Sequence, residues 1–180
     1  MEAGQAIAER RSIRHFTHER VSDSDLDLLI EALRLAPSAH NRQNWVFKVL
    51  DGDDKDHLAD IMLSLFDGDT SHLPSFCRTS RVTAKVIKGS DRLILCLKEK
   101  DALWDRLDLL SLGAAIENLC LQATSLGLGT LWICDTVYTE EKILEAFSLE
   151  GLELVSAIAL GHPASIPAPR PRKAKEEILK

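Results

Sequence analysis

The sequence predicts an α+β fold, an α/β sandwich whose single mixed sheet is flanked by helices, and three observations carry that prediction. Leu93-Ile94-Leu95-Cys96-Leu97 is short and wholly apolar, as a strand buried on both faces must be. Strand-like and helical runs alternate along the chain. The longest helical stretch, from about Arg106 to Leu126, is apolar enough to be packed against that sheet.

Taken in order, a short helix precedes Arg10, and the next helix is bounded by its own chemistry. Ser22 can cap it, Asp23 and Asp25 suit the positive end of its dipole, and Leu26, Leu29, Ile30 and Leu33 form its buried stripe. Pro37 disfavours helical geometry at Ala36, so the helix stops there and releases the loop Ser38 to Trp45. Val46 to Leu50 reads as a strand closed by the turn Asp51-Gly52-Asp53-Asp54, and Leu58 to Phe66 as a helix. Asp67 to Ser80 mixes Gly, Ser, Thr, Pro and Asp without a period, which predicts a loop or lid. Gly127 and Gly129 read as the cap of the long helix. Strands follow at Thr130 to Ile133 and Leu154 to Leu160, with a helix from Thr139 to Phe147 between them. Gly127-Leu128-Gly129 is not a dinucleotide fingerprint, because it precedes a strand instead of following one. A chain of 180 residues can bury one sizeable core, so residues 1–180 are expected to form a single domain.

Composition narrows the function. With 45% hydrophobic and 28% charged residues the chain should be globular, and its formal charge of -6 gives no general attraction to nucleic acid or anionic membrane. Neither is an expected partner. Cys77, Cys96, Cys120 and Cys134 include no C-x-x-C pair, and His15, His18, His40, His57, His72 and His162 form no ligand or nucleophile constellation, so no metal is expected. Cys96 and Cys120 lie in apolar runs, and Met1 to Gln5 lacks the features of a secretory signal; both predict a reducing, cytoplasmic setting. The longest apolar region, Leu107 to Leu128, is interrupted by Asp108, Glu117, Asn118 and Gln122 and should not span a membrane.

Against this acidic background two segments are locally basic. Arg10-Arg11-Ser12-Ile13-Arg14 concentrates guanidinium and hydroxyl donors, and Arg170-Pro171-Arg172-Lys173 repeats the charge near the other end. Alone, the first could be a solvated face answered by Glu9 and Glu19. Two such segments folding together would need an anion between them, and the arginine fork matches phosphate oxygens. Ala36-Pro37-Ser38-Ala39-His40-Asn41-Arg42-Gln43-Asn44-Trp45 has the amide and hydroxyl content of a binding loop, although Asn41 and Gln43 could also satisfy loop backbone. Trp45 and Trp132 read as core or interface anchors. Gly113-Ala114-Ala115 permits close helix packing, within the chain or across a dimer axis, and Asp51 to Asp56 reads as a solvated turn.

Together, Arg-Arg-Ser-x-Arg-x-Phe at Arg10 to Phe16, the Pro37 to Phe47 loop, Gly113 to Asn118, Gly129 to Ile133 and the tail Leu160-Gly161-His162-Pro163 with Arg170 to Lys173 resemble the FMN-dependent nitroreductase family, in its order and over nearly the whole chain. The resemblance implies an intertwined homodimer with FMN in its interface, and a tail from about residue 162 wrapping back or onto the partner. It implies that Arg10 and Ser12 hold the phosphate, with Arg11 beside them among the cofactor-binding residues, that Arg14 lies nearer the ribityl chain and pyrimidine edge, and that Arg170 and Arg172 close on the same phosphate. Pro37, Ser38, Ala39 and Asn41, with Gln43, match the loop that reaches the flavin from the partner subunit, and Leu131, Trp132, Ile133 and Cys134 match the segment running along the ring. The family's asparagine before the strand Leu93 to Leu97 is missing, and Thr83, Lys85 and Lys88 stand nearby. The implied activity is ping-pong, two-electron transfer from NADH or NADPH through FMN to nitroaromatics, quinones or similar small acceptors, with no catalytic side chain. A flavin-binding sensor or store with little turnover is the alternative from another class. Reductive dehalogenation or flavin fragmentation is the alternative within the family.

Overall fold

A computed structural model describes residues 1–71 and 73–179; His72, one of the histidines named above, and Lys180 lie outside the described residues. The helices run α1 Ala3–Glu9, α2 Asp23–Arg34, α3 Gly52–Leu63, α4 Thr79–Gly89, α5 Asp105–Ser125, α6 Glu140–Ala146 and α7 Lys175–Ile178. The strands are β1 Val46–Asp51, β2 Arg92–Glu99, β3 Gly129–Ile133 and β4 Leu152–Gly161. They form one sheet in the order β1-β2-β4-β3, antiparallel at every named pairing. The parallel contact is a single bridge from Ser12 to Thr130 on β3.

Both faces of the sheet are covered, which explains why β2 has no polar alternation in its middle. Leu93, Leu95 and Leu97 face one cluster with α3, α4 and α6, while Ile94 and Cys96 face the other with α2 and α5. The central position of β2 between β1 and β4 is the one its apolar run requires. The Ser22 hydroxyl accepts from the Asp25 amide at 3.0 Å, and Leu29 and Leu33 of α2 are fully buried. The cap and stripe are therefore those the sequence predicts.

Three local expectations are corrected. Asp51 to Asp54 is not a turn, and Asp51 to Asp56 is not a solvated one: Asp51 ends β1, and Gly52, at φ +46°, opens α3 with Asp53 and Asp54 in its positive first turn. Asp51 pairs with Arg92, and Lys55 is buried against Asp56 and the Lys88 carbonyl. Asp67 to Ser80 is not one continuous loop. A 3-10 turn at Ser75–Arg78 leads into α4, whose buried face is built on Ser80 and Ala84 as well as Val86 and Ile87, small residues that leave a faint apolar period. Gly127 caps α5 at φ +76°, with the Leu128 amide bonding the Ala123 carbonyl at 2.8 Å and its own amide bonding that of Thr124. Gly129 has a different task, as the first residue of β3.

That task is set by the extended segment from Ser12 to Thr17. The Ile13 amide bonds the Thr130 carbonyl at 2.8 Å, the Thr17 amide bonds the His162 carbonyl at 2.8 Å, and the Ala164 amide bonds the His15 carbonyl at 2.9 Å. The segment crosses the cross-strand pair Gly129 and Gly161. A Cβ at Gly129 would lie 2.7 Å from Ile13 Cγ1, and one at Gly161 would lie 3.0 Å from Phe16 Cδ1 and 3.3 Å from the Asp91 amide nitrogen. Glycine is needed for space, and the crossing holds both chain ends together. Gly129→Ala should cost about 1–3 kcal/mol through this overlap, read as a fall of several degrees in the thermal midpoint; Gly113→Ala, with nothing within 4 Å of its added Cβ, should not.

Candidate functional site

The crossing brings Arg10, Arg11, Ser12 and Arg14 against Pro167, Ala168, Arg170 and Arg172 around a cleft of about 200 Å³. Among the described residues, Glu117 is the one carboxylate within 4 Å of any of the five arginines, 3.3 Å from Arg10 Nε. This is the partner that the neighbouring Glu9 and Glu19 do not supply, since Glu9 accepts from Gln5 and Glu19 lies 3.9 Å from His162. Arg11 donates to the Ala8 and Arg10 carbonyls at 2.7 and 2.8 Å, and Arg14 to the Ser12 carbonyl at 3.2 Å. Arg10 Nε has the Glu117 ion pair without hydrogen-bond geometry, and Arg11 Nε is buried without a hydrogen bond. Five guanidinia with one carboxylate among them repel each other, a donor set suited to an anion, and the volume suits one end of a nucleotide better than the whole, since small-molecule sites run to roughly 300–1,000 Å³.

The other predicted residues lie elsewhere in the chain. Pro37, Ser38, Ala39, Asn41 and Gln43 line no part of the arginine cleft. Their loop sits at the start of α5, where the Ala39 amide donates to the Ser111 hydroxyl at 3.1 Å, while Glu117 is six residues further along, about 9 Å at 1.5 Å per residue. On β3, Leu131 and Ile133 turn into the core and Trp132 stays 39% exposed on the opposite face. Because the Thr130 carbonyl points to Ile13 and away from β4, the two-residue alternation sends the Trp132 N–H and C=O to the same open sheet edge. From Thr130 to Cys134 this edge is about 13 Å long, at 3.3 Å per residue. Just past its far end the Thr83 hydroxyl donates to Asp135 at 2.9 Å; further along α4, Lys88 pairs with Asp60 at 2.6 Å against α3, and Lys85 is exposed without a partner among the described residues.

Sequence reasoning missed what holds the loop. Arg42 donates to Asp101 at 2.8 Å and to both oxygens of Asp108 at 3.2 and 3.3 Å, and its guanidinium lies 4.7 Å from the Trp104 ring centre. Asn44 donates to Asp108 at 2.7 Å and accepts from the Glu99 amide at 3.2 Å. Burial alone would push the Asp108 carboxyl up; the hydrogen bonds from Arg42 and Asn44, with the charges of Arg42 and Lys98, hold it below the ordinary range. This anchorage sets His40, Asn41 and Gln43 at φ 51°, 55° and 51°. Such left-handed geometry costs non-glycine residues of order 1–3 kcal/mol each, with asparagine and histidine the more tolerant. The spacing of Arg42 to Asp108 offers no local signal, because the pair meets only after folding.

The thiols differ sharply. Cys77, Cys96 and Cys120 are buried and free, and burial pushes Cys120 up to about 11 and Cys96 higher still; Cys134 is exposed at the end of β3, its thiol raised by partial burial and by Asp135. A thiol reagent should therefore modify one cysteine per native chain and four after denaturation, and Cys134→Ser should abolish the native reaction.

Comparisons with known proteins bear on the family and the fold. Residues 7–162 match the model of the nitroreductase family. A protein of Archaeoglobus fulgidus, provisionally named NADH dehydrogenase/NAD(P)H nitroreductase, is 29% identical over 167 residues, covering 87% of this chain and 83% of its own. An FMN reductase [NAD(P)H] of Bacillus subtilis is 27% identical over 185 residues, covering 97% of this chain and 71% of its own. A provisionally named nitroreductase of Desulfovibrio desulfuricans, crystallised in complex with FMN, superposes with a TM-score of 0.83 at 31% identity, over 99% of this chain and 95% of its own.

Proposed function

The chain belongs to the nitroreductase family, and on that premise we propose that it is an FMN-dependent NAD(P)H oxidoreductase acting on nitroaromatics, quinones or similar small acceptors. The observation that carries this reading is the arginine cleft: guanidinia from both ends of the chain gathered around Ser12, with the Arg11 Nε buried and without a hydrogen bond. A flavin phosphate fits that donor set, since it carries about -1.5 to -2 charge and hydrogen bonds to charged groups are worth about 1.5–3 kcal/mol each. Arg10, Arg11 and Ser12, with Arg170 and Arg172, hold it in this reading, and Arg14 lies toward the ribityl chain. When bound, FMN supplies the two-electron transfer between pyridine nucleotide and acceptor. The open edge of β3, from Leu131 to Cys134, offers the backbone groups of Trp132 to the ring. No side chain need act as acid, base or nucleophile.

A homodimer completes the site. The cleft is too small for a whole flavin, and the loop from Pro37 to Gln43 lies outside it, as a loop serving a second copy would. Leu107 and Leu110 of α5 are 41% and 66% exposed, one turn apart on a face continued by Gly113 and Ala114. An apolar stripe of this kind on the longest helix is the mark of a covered face. In this reading residues 1–180 are one domain, with the tail beyond about residue 162 strapped to the phosphate segment. The three buried, unpaired thiols support a reducing, cytoplasmic setting. No helix among the described residues is long and apolar enough to cross a membrane.

The purified protein should be yellow, and NADH or NADPH added without oxygen should bleach it; a colour that persists would leave a binding protein with little turnover. Arg10→Ala should release most of the flavin, and full FMN retention would remove Arg10 from the phosphate grip. Donor and acceptor varied together should give parallel double-reciprocal lines, whereas intersecting lines would require both to be bound at once.

A further inference from the structure

We propose that Asp108 is a positioning residue: through Arg42 and Asn44 it holds the strained loop Ser38 to Gln43 in the shape that completes the flavin site of the other subunit. This inference rests on the proposed dimeric flavin site and goes beyond it by naming what sets the loop. Three observations carry it.

The first is cost. His40, Asn41 and Gln43 all adopt left-handed backbone although none is glycine, and all three are exposed, so no core packing compensates them. The Asn41 side-chain amide has no hydrogen-bond partner among the described residues. A strained loop presenting an unpartnered amide is organised for something outside its own fold.

The second is convergence. Besides its internal bonds, such as that from the Gln43 amide to the Ser38 hydroxyl at 3.1 Å, the loop is tied by residues 99 to 111. Asp108 takes Arg42 and Asn44, Asp101 takes Arg42 at 2.8 Å, Trp104 lies under Arg42 and edge-on to His40 at 5.3 Å, and Ser111 takes the Ala39 amide. Asp108 is the hub, 2% exposed and bonded by both neighbours of Gln43. Its charge is favoured by the first turn of α5. Removing its charge leaves Arg42 with Asp101 and Trp104 and Asn44 with the Glu99 backbone, and so loosens the residues on both sides of Gln43.

The third is placement. The loop reaches no part of its own chain's arginine cleft, while the exposed Leu107 and Leu110 flank Asp108 on the helix that would meet the partner. Asp108 thus sits between an interface and a loop, touching no ligand itself.

The test uses FMN affinity, read by quenching of free FMN fluorescence, in four dimers: wild type, Arg10→Ala, Asp108→Asn, and a doubly tagged heterodimer with one chain of each. Both mutant homodimers should bind FMN at least tenfold more weakly while remaining dimers. The heterodimer should recover one wild-type site per dimer, because one of its two sites joins unaltered arginines to an unaltered loop. Undiminished affinity in the Asp108→Asn homodimer, or a heterodimer with no recovered site, would overturn the proposal. If Asp108→Asn yields no folded dimer, Arg42→Lys, which keeps the charge and loses the fork, takes its place with the same two outcomes. A wild type that binds no FMN would instead defeat the proposed function, a result distinct from a yellow wild type with an equally yellow Asp108→Asn.

Discussion

The close crossing of Ser12 to Thr17 over Gly129 and Gly161 is the constraint on which the rest of the molecule depends. A backbone can lie this near a sheet only where the strands carry no Cβ, and the two glycines are paired directly across β3 and β4. Ile13 and Phe16 fill the space they leave. The same segment then bonds to His162 and Ala164, so the two ends of the chain are tied to each other and to the sheet within a few residues. The basic character of both ends becomes one feature in space because of this packing.

Charge is handled in two ways that separate structure from function. Where the fold needs an ion, it surrounds it: Arg92 is met by Asp51, Asp91 and Asp23, and the fully buried Lys98 by Asp105 and Glu153 at 2.7 Å each. A buried charge left alone would be strongly destabilising, and each of these cations is met by more than one carboxylate. The arginine cleft departs from the pattern: among the described residues it has one carboxylate for five guanidinia, in a chain of net charge -6. Acidic side chains are plentiful elsewhere and scarce in this place, which is the reason to read it as a proposed ligand site instead of a structural network.

One chain also shows what a second would complete. The sheet ends in an open edge at β3, the longest helix exposes leucines on the face away from the core, and a strained loop stands clear of the cleft it accompanies in sequence. The exposed leucines and the strained loop are unfavourable in isolation, and the proposed dimer would cover them. The buried carboxylate of Asp108 lies between that loop and those leucines, so one network ties the two together.

The sequence by itself determined the elements whose signals are local. The Ser22 cap, the Leu29 and Leu33 stripe, the apolar run of β2, the glycine cap at Gly127 and both basic motifs follow from neighbouring residues, and each appears where its pattern places it. It misread Asp51 to Asp54, because polar residues that suit a turn suit the first turn of α3 equally well, and it passed over α4, whose buried face rests on Ser80 and Ala84. What only the tertiary structure decided is which distant groups meet: Ile13 over Gly129, Arg10 beside Glu117, and Arg42 and Asn44 on Asp108, more than sixty residues away. Such pairs leave no periodicity or spacing in the chain, because their energy arises from burial and exclusion of water that exist only once the sheet and α5 have packed.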